Sequence, residues 1–171
     1  VVSLNNMAAA ASLAGEQKQQ AEQHILNGGS FYDYYQTQDQ GYLAIGSLEP
    51  QFMQGVAQAL ALPILLEKGA SLDPIDRQAV KQALQAKIAT QPLAYWQACF
   101  AELDVCVEAV LALDEALDSR LAQERNWVTQ VPFTLGSQQT EAQLALPIKF
   151  SRSQPVYKHV GQELGAGDWP S

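Results

Sequence analysis

Basic side chains are scarce in this chain. Ten Lys and Arg stand against eighteen Asp and Glu in 171 residues, a formal net charge of −8, and the cations nowhere form a run. A nucleic-acid surface needs clustered Lys and Arg to neutralise phosphates, so that class of partner is excluded. With only His24 and His159 present, a zinc site would have to draw carboxylates from distant segments, and no ligand spacing offers them. Cys99 and Cys106 have no partner pattern and read as buried, reduced thiols of a cytoplasmic protein. Neither has a His, Lys or Arg within several residues to activate it. No apolar run reaches the roughly 20 residues of a membrane span. The opening "VVSLNNMAAAASLAG" lacks the basic start of a signal peptide and carries no first Met, so it reads as an Ala-rich helix that begins in mid-protein.

Apolar residues are abundant: 47% of the chain is hydrophobic and 16% charged, the balance of a folded domain with a core. "MAAAASLAGEQKQQAEQHIL" is rich in helix formers, and Asn27-Gly28-Gly29 ends it. His24 near that end reads as a favourable helix-end residue. "FYDYYQT" (31–37) and "YLAIG" (42–46) flank the turn group "QDQG", a β-hairpin signal. "PQFMQGVAQAL" (50–60) places Phe52, Val56 and Leu60 on one helical face. The next helix starts with Asp73 as N-cap and Pro74 as first residue, its inner face being Ile75, Ala79, Val80, Leu84 and Ile88. After Pro92 a third helix turns Trp96, Cys99 and Phe100 inward. "DVCVEAV" (104–110) is a short β-branched strand, and "LDEALDSRLAQERN" a helix capped by Asp114 or a neighbour. Beyond Asn126, short extended pieces alternate with Pro, Gly and Ser, a stretch unable to build a core of its own. The fold class is therefore α+β: a small domain with a hairpin, several helices and a short strand, flanked by an N-terminal helix and an extended tail. The boundaries are 1–29 for a connecting helix, 30–117 for the small domain and 118–171 for linker and tail.

Three segments in order, "GGSFYDYYQTQDQGYLAIGSLEPQF", "FAELDVCVEAVLALDEAL" and "IKFSRSQP", resemble the family III CoA-transferase superfamily, and within it the 2-methylacyl-CoA racemase branch. The resemblance runs from about Leu26 to Pro155. It implies a part of a larger α/β protein in which a Rossmann-like large domain is built from the N-terminal stretch and the returning tail. The small domain is inserted between them, and two subunits interlock as a homodimer. It also implies an acyl-CoA thioester as substrate, no covalently bound cofactor, and a catalytic His in a His-Asp-x-Asn-Tyr motif upstream of this region. His24 is followed by Ile and His159 by Val, so neither matches. The chain by itself is then expected to be inactive. Its closing "GQELGAGDWPS" departs from the Gly-x-His-Thr stretch usual in the family.

Glu49 is the one candidate site residue. A carboxylate beside Pro50 at a helix start is favoured by the helix dipole, worth about 0.3–1 kcal/mol with no catalysis involved. The resemblance supplies the other reading: Glu49 matches the Glu of Glu-Pro-Gln-Phe that serves the catalytic His, so it would orient a His outside this chain. Tyr32, Tyr34 and Tyr35 read as hairpin packing with hydroxyls at the rim. The alternatives are a formyl-CoA or carnitine type CoA-transferase, disfavoured by the single glycine of the "GSLEPQF" corner, and a non-enzymatic α+β interaction domain.

Overall fold

Alternation of apolar and polar side chains decides the first elements. In the computed structural model, which describes residues 10, 13–15, 25, 26 and 28–161, β1 (Asp33–Gln36) and β2 (Tyr42–Ile45) form the expected hairpin. Tyr34 lies opposite Ala44 and Tyr35 opposite Leu43. Gln40 takes a positive φ of 66° in the connecting turn. The strand β3 (Val107–Val110) adds antiparallel to β2, giving the order β1-β2-β3. It is shorter than the run 104–110 because Asp104, Val105 and Cys106 make the bend that leads into it. Period-2 geometry sends Tyr35, Leu43, Ile45 and Val107 to one face, where they are buried. Tyr34, Tyr42 and Glu108 go to the other and stay exposed.

Helices cover the buried face. α1 (Pro50–Leu60) starts on the proline that the sequence placed at its first turn. Its inward residues are Met53, Val56, Ala57 and Leu60; Phe52, expected inside, is half-buried. A five-residue helix, α2 (Ile64–Lys68), follows and buries Leu65. In α3 (Pro74–Ile88) the Asp73 side chain accepts the Ile75 N–H at 2.8 Å, the expected cap. Val80, Leu84 and Ile88 are buried, but Ile75 is 77% exposed. The first turn of α3 runs past the end of the core, so its apolar position has nothing to pack on. α4 (Leu93–Phe100) buries Trp96 and Phe100, with the Trp96 indole N–H donating to Ile88 O at 2.8 Å. All four helices and the sheet share one apolar cluster that includes Phe31, Leu43, Val56, Leu65, Leu84 and Trp96. The open edge of β1 is closed by a side chain: Gln36 N–H donates to Gln85 Oε1 at 3.1 Å, and Gln85 Nε2 donates to Gln36 O at 2.9 Å.

The chain divides into two compact units, Val1–Val110 and Leu111–Ser171. In the second, the single helix expected at 113–126 is two, α5 (Leu113–Asp118) and α6 (Arg120–Arg125). Ser119 breaks them: its extended backbone ends α5, and its hydroxyl accepts the Ala122 N–H to cap α6. Glu115, not Asp114, answers the first cap by accepting the Ala112 N–H at 2.8 Å. β4 (Val128–Pro132) and β5 (Thr140–Leu144) then pair as a two-stranded hairpin. The architecture is α+β as expected. Most of the expected first helix, with His24, lies outside the described residues.

Candidate functional site

Glu49 stands on a junction built largely from backbone. β2 pairing with β3 continues past Ile45: Gly46 N–H donates to Cys106 O at 2.7 Å. The same carbonyl accepts the Ser47 hydroxyl at 3.3 Å, and Ser47 is fully buried. Leu48 N–H turns back to Gly46 O at 3.0 Å, and Glu49 follows with extended dihedrals (φ −69°, ψ 140°) as the N-cap of α1. A close approach fixes the helix as well. A Cβ at Gly55 would sit 2.7 Å from Val105 Cγ1, so glycine lets α1 lie directly on the 101–106 bend.

The Glu49 side chain makes no capping hydrogen bond. Met53 N–H pairs with its backbone carbonyl at 2.9 Å, leaving the exposed carboxylate without a hydrogen-bond or ion-pair partner among the described residues. Asp73 shows what a true side-chain cap looks like in this same chain. Glu49 thus occupies the N-cap position without a side-chain hydrogen bond to the helix.

A cleft of about 500 Å³ opens on the sheet face opposite the helices α1–α4, lined among others by Tyr32, Tyr34, Ala44, Gly46, Cys106 and Glu108. Its floor is made of small residues. The Tyr32 ring lies over Gly46, where a Cβ would meet Tyr32 Cε2 at 3.1 Å. Cys106, expected to be buried, overturns that expectation. Its side chain is exposed and Cys99 is half-buried, though both are free thiols. The bend before β3 turns the Cys106 side chain to the outer face while its carbonyl holds the junction.

The tyrosines separate. Tyr34 is 64% exposed, and Tyr32 sits at the cleft wall. Tyr35, expected with its hydroxyl at the rim, is buried, its O–H donating to Phe31 O at 2.8 Å. Burial, and secondarily the Asp33 charge, push its pKa well above the ordinary tyrosine value. It is a core residue. Asp39, exposed on the hairpin turn, accepts from the Thr37 hydroxyl and from Leu93 N–H at 3.0 Å. Those bonds, the Thr37 hydroxyl first, lower its pKa. Asp39 thus caps α4 from far away in sequence. Among the described residues His159 Nδ1 meets Gly161 O at 3.0 Å. Among the described residues no three His, Cys, Asp or Glu gather as a metal site, and no helix is long and apolar enough to cross a membrane.

The fold and this junction define an α+β domain with an acid placed at a strand-to-helix corner. The family model described as CoA-transferase family III matches residues 1–166, and the chain belongs to that family. It is similar to the alpha-methylacyl-CoA racemase of Mus musculus, 34% identical over 109 residues, covering 63% of this chain and 28% of that protein. The protein of the same name from Homo sapiens is 32% identical over 105 residues, 60% of this chain and 27% of its own length. The chain thus spans less than a third of these relatives. Among solved structures, Rv3272 from M. tuberculosis in its orthorhombic form superposes with a TM-score of 0.70 at 17% identity. The match covers 92% of this chain and 41% of that one. Its D175A mutant superposes with a TM-score of 0.68, also at 17% identity, covering 92% and 40%. These last two speak for the fold alone.

Proposed function

We propose that this chain is the small domain and returning tail of a longer acyl-CoA enzyme that racemises 2-methylacyl-CoA thioesters. The observation that carries the reading is Glu49: an exposed carboxylate, without a partner among the described residues, at the Glu-Pro-Gln-Phe corner of a family III chain whose curated relatives include racemases. The reaction removes the proton from the carbon beside the thioester carbonyl, leaving an enolate, and returns a proton to either face. Two acid/base groups flank that carbon. In this reading both lie outside the chain, and Glu49 holds the far ring nitrogen of the catalytic His, fixing its tautomer and stabilising its cationic form. The CoA thioester is substrate; no covalently bound cofactor takes part.

The assignment of parts goes with it. Residues 1–29 connect, 30–117 form the small domain, and 118–171 return towards a large domain outside this chain. The whole enzyme works as a cytoplasmic homodimer, with Glu49 reaching the active site across the subunit interface. Incubating the longer protein with a 2-methylacyl-CoA in deuterated water tests the proposal. It should exchange the α-proton and interconvert the epimers, while the 171-residue chain alone should do neither. Transfer of CoA from the thioester to an acceptor carboxylate, releasing the first acyl group as its free acid, without α-exchange, would assign the protein to the transferases of the family instead.

A further inference from the structure

One wall of the sheet-face cleft, from Gly28 to Tyr32, precedes β1 and lies outside the sheet ladder. Gly28, at a φ of +78°, reaches Tyr32 O with its N–H only at 3.3 Å, beyond the usual 2.9–3.0 Å. A Gly-Gly step has wide backbone freedom. Beyond it the Ser30 hydroxyl braces the wall locally, donating to Ile25 O at 2.7 Å and accepting the Tyr32 N–H at 3.1 Å. The two glycines themselves are held by α3. Lys81 Nζ donates to Gly28 O at 2.7 Å and lies 2.6 Å from Asp33 Oδ2. Arg77 Nη1 donates to Gly29 O at 3.1 Å, while its Nε is held by Ser71 O at 2.9 Å. Residues 77 and 81 are one helical turn apart and share a face. Two of the chain's ten basic residues thus sit on two successive carbonyls. The Lys81 and Asp33 side chains are only about a quarter exposed, at 27% and 28%, where water competes weakly.

We propose that Lys81 and Arg77 are positioning residues: they hold the Gly28–Gly29 step, and with it the Tyr32–Asp33 wall, in the shape that admits a ligand to the sheet-face cleft. The identity of that ligand as an acyl-CoA rests on the function proposed above; the clamp does not. Amide hydrogen exchange on this chain separates the two. Lys81→Met keeps the stem and drops the charge, and should speed exchange at Gly28 and Tyr32 about tenfold, the loss of one charge-assisted bond. Val56, Val80 and Leu84 should stay as protected as before, and Lys81→Arg should restore most of the protection. Unchanged exchange at Gly28 and Tyr32, or equal acceleration through α1 and α3, overturns the clamp. Should Lys81→Met fail to fold, Arg77→Met and Asp33→Asn each remove one anchor; local loosening in either supports the clamp, and none in both rejects it.

In the longer protein Lys81→Met should raise the KM for acyl-CoA about tenfold with kcat retained, as for loss of binding shape alone. Local loosening with KM unchanged would show that the wall takes no part in ligand binding and would overturn the positioning role. If the longer protein proves inactive on acyl-CoA, the function proposed above fails, and the exchange data alone decide the clamp.

Discussion

The two units of the chain differ most in what they bury. The first assembles one continuous core from sheet and helices, with Val56, Leu65 and Ile88 sealed from solvent. Beyond Val110, the only buried apolar residues among those described are Ala122 and Val131. There Leu135, Leu144 and Val156 are 70% or more exposed, and Ile148 and Phe150 more than half. Both regions hold regular structure, so hydrogen bonding does not separate them. The comparison teaches that a hairpin and two short helices satisfy their own backbone without supplying a hydrophobic driving force. In the reading proposed above, the second unit has its core partner in the large domain.

Truncation should break the symmetry most visibly. Trp96→Ala removes a buried ring and its bond to Ile88 O, and should cost about 3–5 kcal/mol in chemical denaturation. Leu144→Ala, on an exposed position of β5, should change stability by less than about 0.5 kcal/mol. Equal costs would mean the second unit has a core that exposure fails to register. Proteolysis sharpens the same contrast. Brief trypsin digestion should cut after Lys149, Arg152 or Lys158 before it cuts anywhere in α3. Early cleavage at Arg77, Lys81 or Lys87 would reverse the ranking.

Gly55→Ala probes the packing beneath the candidate site. The new methyl meets Val105 at 2.7 Å unless α1 shifts, so overpacking should cost about 1–3 kcal/mol despite alanine's better helix propensity. A stabilised variant would show that α1 does not lie as tightly on that bend.

The smallest effect concerns acid. Asp39 and Asp76 both have pKa values lowered below their ordinary 3.8, Asp39 chiefly by the Thr37 hydroxyl and Asp76 chiefly by Lys68. A carboxylate with a depressed folded pKa stabilises the fold above its unfolded pKa, and that contribution is lost as pH falls through the folded value. Stability should therefore be flat from neutrality to about pH 4 and decline below it. Asn at either position should shrink the decline. Lys68, whose pKa is raised chiefly by its bond to Asp76, gives the mirror case: its contribution is complete below its ordinary 10.5 and lost only above the raised value.

Legibility in the sequence followed how local each determinant was. Asp73-Pro74 announced the start of α3 because a cap needs only its own turn. The hairpin of β1 and β2 was legible from alternation around "QDQG". α2 was not, since five residues offer a single turn and no period. Nor was the β4–β5 hairpin, most of whose side chains are exposed, leaving no apolar stripe to read. Ile75 misled because helical spacing cannot tell where the core ends. Of the candidate site, Glu49 and its corner were readable. Its support was not: the Cys106 carbonyl acts through backbone, and Lys81 and Arg77 reach carbonyls 53 and 48 residues away. Such pairings leave no mark on a local pattern.

The central claim is that Glu49 serves a catalytic His and is not merely a helix-start residue. Glu49→Gln in the longer protein tests it most directly, with α-proton exchange and melting temperature measured on the same sample. The amide keeps size and loses charge, so exchange should slow about ten- to hundred-fold, the worth of one charge-assisted hydrogen bond, while the melting temperature holds. Undiminished exchange with a lowered melting temperature would contradict the claim and return Glu49 to the helix dipole.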